Sequence, residues 1–154
     1  MREISLNWNP SSPLLFEATG PNDIKLSLDS PVSSGGEGRG FSPKVLLMLA
    51  VGGCTGMDVI SMLRKMRQEV TDYQLEVKGW ERTEHPKKFD RIVVEHVLTG
   101  RNLNQESVAR AVKLSHEKYC GVSASLEGSV EIEMTYRLVE AAEEAKREEK
   151  VGGD

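Results

Sequence analysis

Basic residues do not predominate in this chain. Lys and Arg number 20 against 24 Asp and Glu, for a net charge of −4 and a pI near 5.5. A nucleic-acid surface needs clustered cations against phosphate, so the composition argues against that class. The local run Arg64-Lys65-Met66-Arg67 reads as the solvated end of a helix, where the dipole favours cations. Cysteine is scarce as well, with only Cys54 and Cys120. They are no close pair, and the nearest further ligand is His116, one turn before Cys120, so no zinc set is expected. The glycine-rich stretch Ser33 to Gly40 lacks the Gly-Lys-Ser/Thr ending and the strand-crossover setting of nucleotide loops. It reads instead as a mobile loop carrying Arg39 towards the next helix. Internal repeats are absent. The first residues, MREISLNWNP, are polar and broken by Pro10, which predicts no export signal. Two cysteines without export predict a cytoplasmic protein that has no permanent disulfide but has room for a transient catalytic one.

What the sequence does have is one long apolar stretch. With 154 residues, 38% hydrophobic and 29% charged, the chain suits one soluble domain with a real core. The segment Phe41 to Val70 is its centre. Ser42 can cap a helix and Pro43 suits the first turn. Val45 to Leu63 carries one charge, Asp58, and leaves no clean polar face, so it must be buried on all sides or lie in lipid. Asp58 and the weak middle, Gly52-Gly53-Cys54-Thr55-Gly56, argue against lipid. The glycines have two readings: a break that starts a second helix near Cys54, or close approach of another backbone. Asp58 itself reads as a buried hydrogen-bonding residue.

Around this centre the periodicities predict an α+β protein. Ile4–Trp8, Leu14–Ala18 and Ile24–Leu28 alternate as a three-stranded antiparallel meander. Tyr73 to Trp80 and Arg91 to Thr99 are two further strands, the second with Ile92, Val94, His96 and Leu98 on one face. Asn104 caps a helix with a stripe of Val108, Ala111, Val112, Ser115 and Tyr119, ending at Cys120 with Gly121 as C-cap. Val130 to Leu138 is the last strand. Residues 1–138 form the single domain, and 139–154 a charged tail, either a frayed helix with pairs such as Glu143 and Arg147 or disordered.

From spacing alone the cysteines read either as small inert hydrophobes or as a redox pair. The surrounding motifs add to that. Ser42-Pro43 with Leu46-Leu47-Met48-Leu49-Ala50-Val51-Gly52-Gly53-Cys54-Thr55-Gly56-Met57-Asp58-Val59 resembles the central helix of the OsmC/Ohr family (osmotically inducible protein C and organic hydroperoxide resistance proteins). The block Ser115-His116-Glu117-Lys118-Tyr119-Cys120-Gly121-Val122-Ser123 resembles that family's second cysteine motif. The likeness runs from about Leu14 to Leu138 and is closer to the OsmC-like branch. It implies an OsmC-like fold, with antiparallel sheets wrapped around central helices in an intertwined homodimer. It also implies a thiol peroxidase that reduces organic hydroperoxides in oxidative-stress defence. Cys54 would attack, Cys120 would resolve, and an external dithiol would restore the pair, with no cofactor, metal, nucleic acid or membrane involved. The chain departs from the family pattern at three places. Lys44 and Val45 stand where an acid is usual, no arginine lies between Thr19 and Asp23, and Gly121 replaces a frequent proline. Arg39 or Lys44 is then the candidate cation and Glu37 the candidate acid. If the central helix is continuous, its dipole cannot activate Cys54 and a cation is required. The alternative function is a dimer that binds a small apolar ligand or serves a non-catalytic stress role.

Overall fold

The computed structural model describes residue 1 and residues 3–142. The tail pair Glu143 and Arg147 lies outside the described residues. Two three-stranded sheets accompany three α-helices, an α+β arrangement. Strands β1 (Leu6–Trp8), β2 (Phe16–Thr19) and β3 (Lys25–Leu28) form the expected antiparallel meander. Its register, Leu6 with Ala18, Trp8 with Phe16, Phe16 with Leu28 and Ala18 with Leu26, puts all six of those residues on one face. Leu6, Trp8, Phe16 and Leu26 on that face are exposed. Leu28 also bridges to Phe41, just ahead of the central helix.

The loop from Pro31 to Gly40, expected to be mobile, is instead tied down. Asp29, only 2% exposed, accepts the backbone N–H groups of Ser30 (2.8 Å), Glu37 (3.1 Å) and Arg39 (3.0 Å). These amides, that of Arg39 foremost, hold its carboxyl below the usual range. A Cβ on Gly36 would lie 2.0 Å from the Ser30 carbonyl oxygen, so a close backbone pass requires that glycine.

Helix α1 (Pro43–Lys65) is a single helix of 23 residues, begun by Ser42, whose Oγ accepts the Val45 N–H. Gly52-Gly53 does not split it, which corrects the first of the two glycine readings. The second is corrected too, since what comes close at Gly52 is a side chain and not a backbone: a Cβ there would meet Val77 Cγ2 at 2.8 Å. One on Gly56 would meet Leu75 Cδ1 at 2.5 Å, while Gly53 faces open space. The small residues at Gly52 and Gly56 thus let α1 lie close on strand β4 (Glu69–Glu81). The helix also stops earlier than expected: Arg67 adopts φ 56° and β4 begins at Glu69. By length and hydropathy α1 is long and apolar enough to cross a membrane. Here Val51, Thr55, Val59 and Leu63 of α1 are buried within the chain.

Strand β5 (Phe89–Arg101) pairs antiparallel with β4, and Ile92, Val94, His96 and Leu98 are buried on its inner face as read from the alternation. Strand β6 (Glu131–Glu140) joins β5 in parallel, so this sheet is mixed rather than antiparallel throughout. A parallel neighbour needs a crossover connection, and helices α2 (Gln105–Leu114) and α3 (Gly121–Leu126) supply it. β6 runs on to Glu140, into the region expected to be tail. Val51, Phe89, Ile92 and Val94 form one apolar cluster; Val59, Leu63, Leu98, Val108, Ala111 and Val112 form the other. Each such side chain stabilises the fold by roughly 1.5–3 kcal/mol on burial.

Candidate functional site

In the second cysteine motif a second short helix follows the first, as Val122 to Leu126 suggest, but the first does not run unbroken to Cys120. Asn104 does cap α2, its side chain accepting the Ser107 N–H at 2.8 Å. The helix then widens into a π turn over Ser115–Tyr119, closed by the Cys120 N–H donating to the Ser115 carbonyl at 2.8 Å. Cys120 begins α3 instead of ending α2. Gly121 is therefore the first residue of α3 and not a C-cap. Tyr119, expected in the buried stripe, is exposed.

This arrangement brings Cys54 of α1 and Cys120 together. Both are free thiols; Cys54 is partly buried and Cys120 buried. Burial is the main effect pushing the Cys54 thiol above its ordinary pKa, and the nearby Cys120 sulfur and Asp58 carboxylate push the same way. The Val122 amide, in the first turn of α3, works against them. In this chain, then, the surroundings of Cys54 disfavour its thiolate. Continuity of α1 removes the dipole assistance that a second helix start would have given.

A buried polar clamp fixes the two segments. Thr55 and Ser115 are fully buried, with Oγ1 and Oγ 2.9 Å apart. Ser115 Oγ donates to Asp58 Oδ2 at 3.1 Å, so Thr55 is the donor in the first bond. Ser115 thus binds two residues of α1 through its hydroxyl and receives the Cys120 amide on its carbonyl. Asp58 makes a hydrogen bond as read from the sequence, but it is half-buried on the wall of a groove and not buried. The sequence places Ser115 on a buried stripe, but nothing in it pairs that serine with Thr55, because the contact spans α1 and the π turn.

At the level of Thr55, between the two apolar clusters, β5 presents His96. Its Nδ1 lies 2.5 Å from the Tyr73 hydroxyl, and its Nε2 is buried with no partner among the described residues. Burial lowers His96 to about 4 and raises Tyr73, so both are neutral at pH 7.

The other expected site residues stand away from Cys54 within one chain. Lys44 pairs with Glu81 and lies ten residues before Cys54, about 15 Å along the helix axis. Arg39 pairs with Glu37 at 3.2 Å on the loop cinched by Asp29, and both are solvent-exposed. Among the described residues no group of three or more His, Cys, Asp or Glu has the geometry to hold a metal ion. From Asp58, one turn beyond Cys54, towards the end of α1 runs a groove of about 400 Å³ that neither cysteine lines. Met62, Met66, Leu114 and Tyr119 form its apolar walls, Asp58 lies on one side, and Lys65 and Arg110 supply cations. Neither Leu47 nor Met57 lines it; Met57 is exposed and Leu47 packs on the Val51 cluster.

Comparison with known proteins agrees with this fold. The chain is 43% identical over 100 residues to Protein YhfA of Escherichia coli K12, covering 65% of this chain and 75% of that one. A hypothetical protein from Aquifex aeolicus VF5 superposes with TM-score 0.79 at 29% identity, covering 92% and 98% of the two chains. An organic hydroperoxide resistance protein OsmC from Legionella pneumophila superposes with TM-score 0.62 at 20% identity, covering 88% and 97%. Residues 36–135, which hold α1, the crossover and both cysteines, match the family described as OsmC-like protein. The chain therefore belongs to the OsmC/Ohr family.

Proposed function

We propose that the protein is a cysteine-based hydroperoxide reductase that works as a homodimer in the reducing cytoplasm. The observation that carries this reading is the meeting of two free thiols, one partly accessible and one buried, across the junction of α1 and α3. The Cys54 thiolate attacks the terminal oxygen of an alkyl hydroperoxide, breaking the O–O bond to release the alcohol and leave Cys54 sulfenic acid. Cys120 condenses with the sulfenic acid, water leaves, and a Cys54–Cys120 disulfide forms. An external dithiol returns both thiols. The name of the Legionella protein supports the substrate class.

The surroundings of Cys54 within one chain disfavour its thiolate, and this reading takes the activating cation from a second copy. Among the described residues two apolar faces lack a cover: the β1–β3 face, and Val45, Leu49 and Met57 on α1. A second copy satisfies both at once, the meander of one subunit lying on α1 of the other. In this reading Arg39, on the loop next to the meander, is the cation offered to Cys54 of the second copy. Under this reading Cys54→Ser loses hydroperoxide consumption entirely, while Cys120→Ser passes from sulfenic to sulfinic acid within a few turnovers. A Cys54→Ser variant that consumes alkyl hydroperoxide at the wild-type rate refutes it.

The same raised pKa favours a second reading, in which the groove holds a small apolar ligand and the cysteines are spectators. Native mass spectrometry of the purified protein separates the two. A co-purified ligand together with unreactive thiols supports the second.

A further inference from the structure

The two sulfurs occupy unequal surroundings. Cys54 is partly exposed, and burial, Cys120 and Asp58 all disfavour its thiolate. Cys120 is 2% exposed, yet its Sγ accepts two hydrogen bonds from Ser123, from the backbone N–H at 3.4 Å and from the hydroxyl at 3.1 Å. Ser123 is itself buried, so water does not compete for these donors. Helix α3 has only six residues; the stabilisation comes from these two donors, not from a helix dipole. Hydrogen bonds to a charged acceptor are stronger than neutral ones, so both bonds strengthen when Cys120 carries a negative charge.

We infer that the Cys54–Cys120 disulfide is reset with a fixed polarity: the reductant attacks Cys54, and Cys120 leaves as a thiolate held by Ser123. This rests on the reading of the pair as a redox couple. In the first step a thiolate of the external dithiol bonds to Cys54 Sγ, and the electron pair of the broken S–S bond goes to Cys120 Sγ. In the second step the remaining thiol of the reductant, deprotonated, attacks its own sulfur in the mixed disulfide and releases the Cys54 thiolate. The reductant ends as a disulfide, and its two protons go to the two cysteines. Attack at Cys120 is blocked by burial, and the two Ser123 donors strengthen as charge moves onto the departing Cys120 sulfur. Ser123 touches the leaving atom and is a catalytic residue of this half-reaction.

The test starts from protein oxidised with diamide, so the disulfide forms without any peroxide. Glutathione, a monothiol, then traps the mixed disulfide on the wild-type protein, and peptide mass spectrometry locates it. The adduct is expected on Cys54, and an adduct on Cys120 overturns the proposal whether or not any variant folds. Reduction by dithiothreitol is expected to slow about three- to tenfold in Ser123→Ala, the loss of one charge-assisted hydrogen bond to the leaving sulfur. Ser123→Thr, which keeps the hydroxyl, should recover most of the rate. A folded Ser123→Ala that is reduced as fast as wild type also overturns it. Failure of diamide to join Cys54 to Cys120 removes this proposal and the redox reading together. A disulfide that diamide forms and dithiol resets as described, but that alkyl hydroperoxide does not form, removes the peroxidase reading alone.

Discussion

His96 shows how one residue inside an apolar strand face sets a pH limit on the fold. Its burial on β5 could be read from the alternation of Ile92, Val94, His96 and Leu98, but its contact with Tyr73 could not, since that depends on the register between β4 and β5. Burial lowers its pKa from 6.5 to about 4, so the unfolded chain binds a proton more readily than the folded one between those values. The sign follows: stability is fully present above pH 6.5 and is lost as pH falls towards 4. Between pH 7 and pH 5 this group should cost about 2 kcal/mol. Urea unfolding at both pH values should show that loss in the wild type and less of it in His96→Leu. Equal pH dependence in the two proteins would contradict the assignment. Cys54 and Cys120 themselves were legible because their flanking motifs resemble a family. The Thr55–Ser115–Asp58 clamp and the Asp29 cinch were not, because each links residues that only the folded chain brings together.

Helix α1 owes its close approach to β4 to its glycines. Gly52 and Gly56 sit one turn apart on the face against β4, and the side chains of Val77 and Leu75 occupy the space their Cβ atoms would need. Val77 is β-branched and stiff on its strand, so it cannot turn away easily. Gly52→Leu should destabilise the protein by about 1–3 kcal/mol through overpacking, measured as a lower denaturant midpoint with an unchanged slope. An unchanged midpoint would mean that α1 does not depend on that close approach. The meander, the cap of α2 and the buried face of β5 were legible from local periodicity and capping chemistry. The π turn was not: the 3.6-residue pattern continues through Ser115, and only the pull of Thr55 and Asp58 on that serine distinguishes a widened turn from an ordinary one. The parallel pairing of β6 was likewise hidden, because alternation gives a strand its faces and not its direction.

At the scale of the whole molecule, the apolar surface left on β1–β3 and along α1 demands a cover, and a second copy is the one proposed here. The wild-type protein should run at about twice its 17.1 kDa mass in light scattering, and Leu49→Arg should shift it towards the single-chain mass by burying an unpaired charge. A wild-type protein that is monomeric at micromolar concentration would contradict the dimer and leave Cys54 without its proposed cation. The central claim, however, is the redox pairing of Cys54 with Cys120, and a thiol count addresses it most directly. Reduced protein is treated with one equivalent of an alkyl hydroperoxide, and its free thiols are titrated before and after under denaturing conditions. The account predicts that both thiols disappear and that peptide mapping finds a Cys54–Cys120 disulfide. Two free thiols remaining after the hydroperoxide has been added would contradict it.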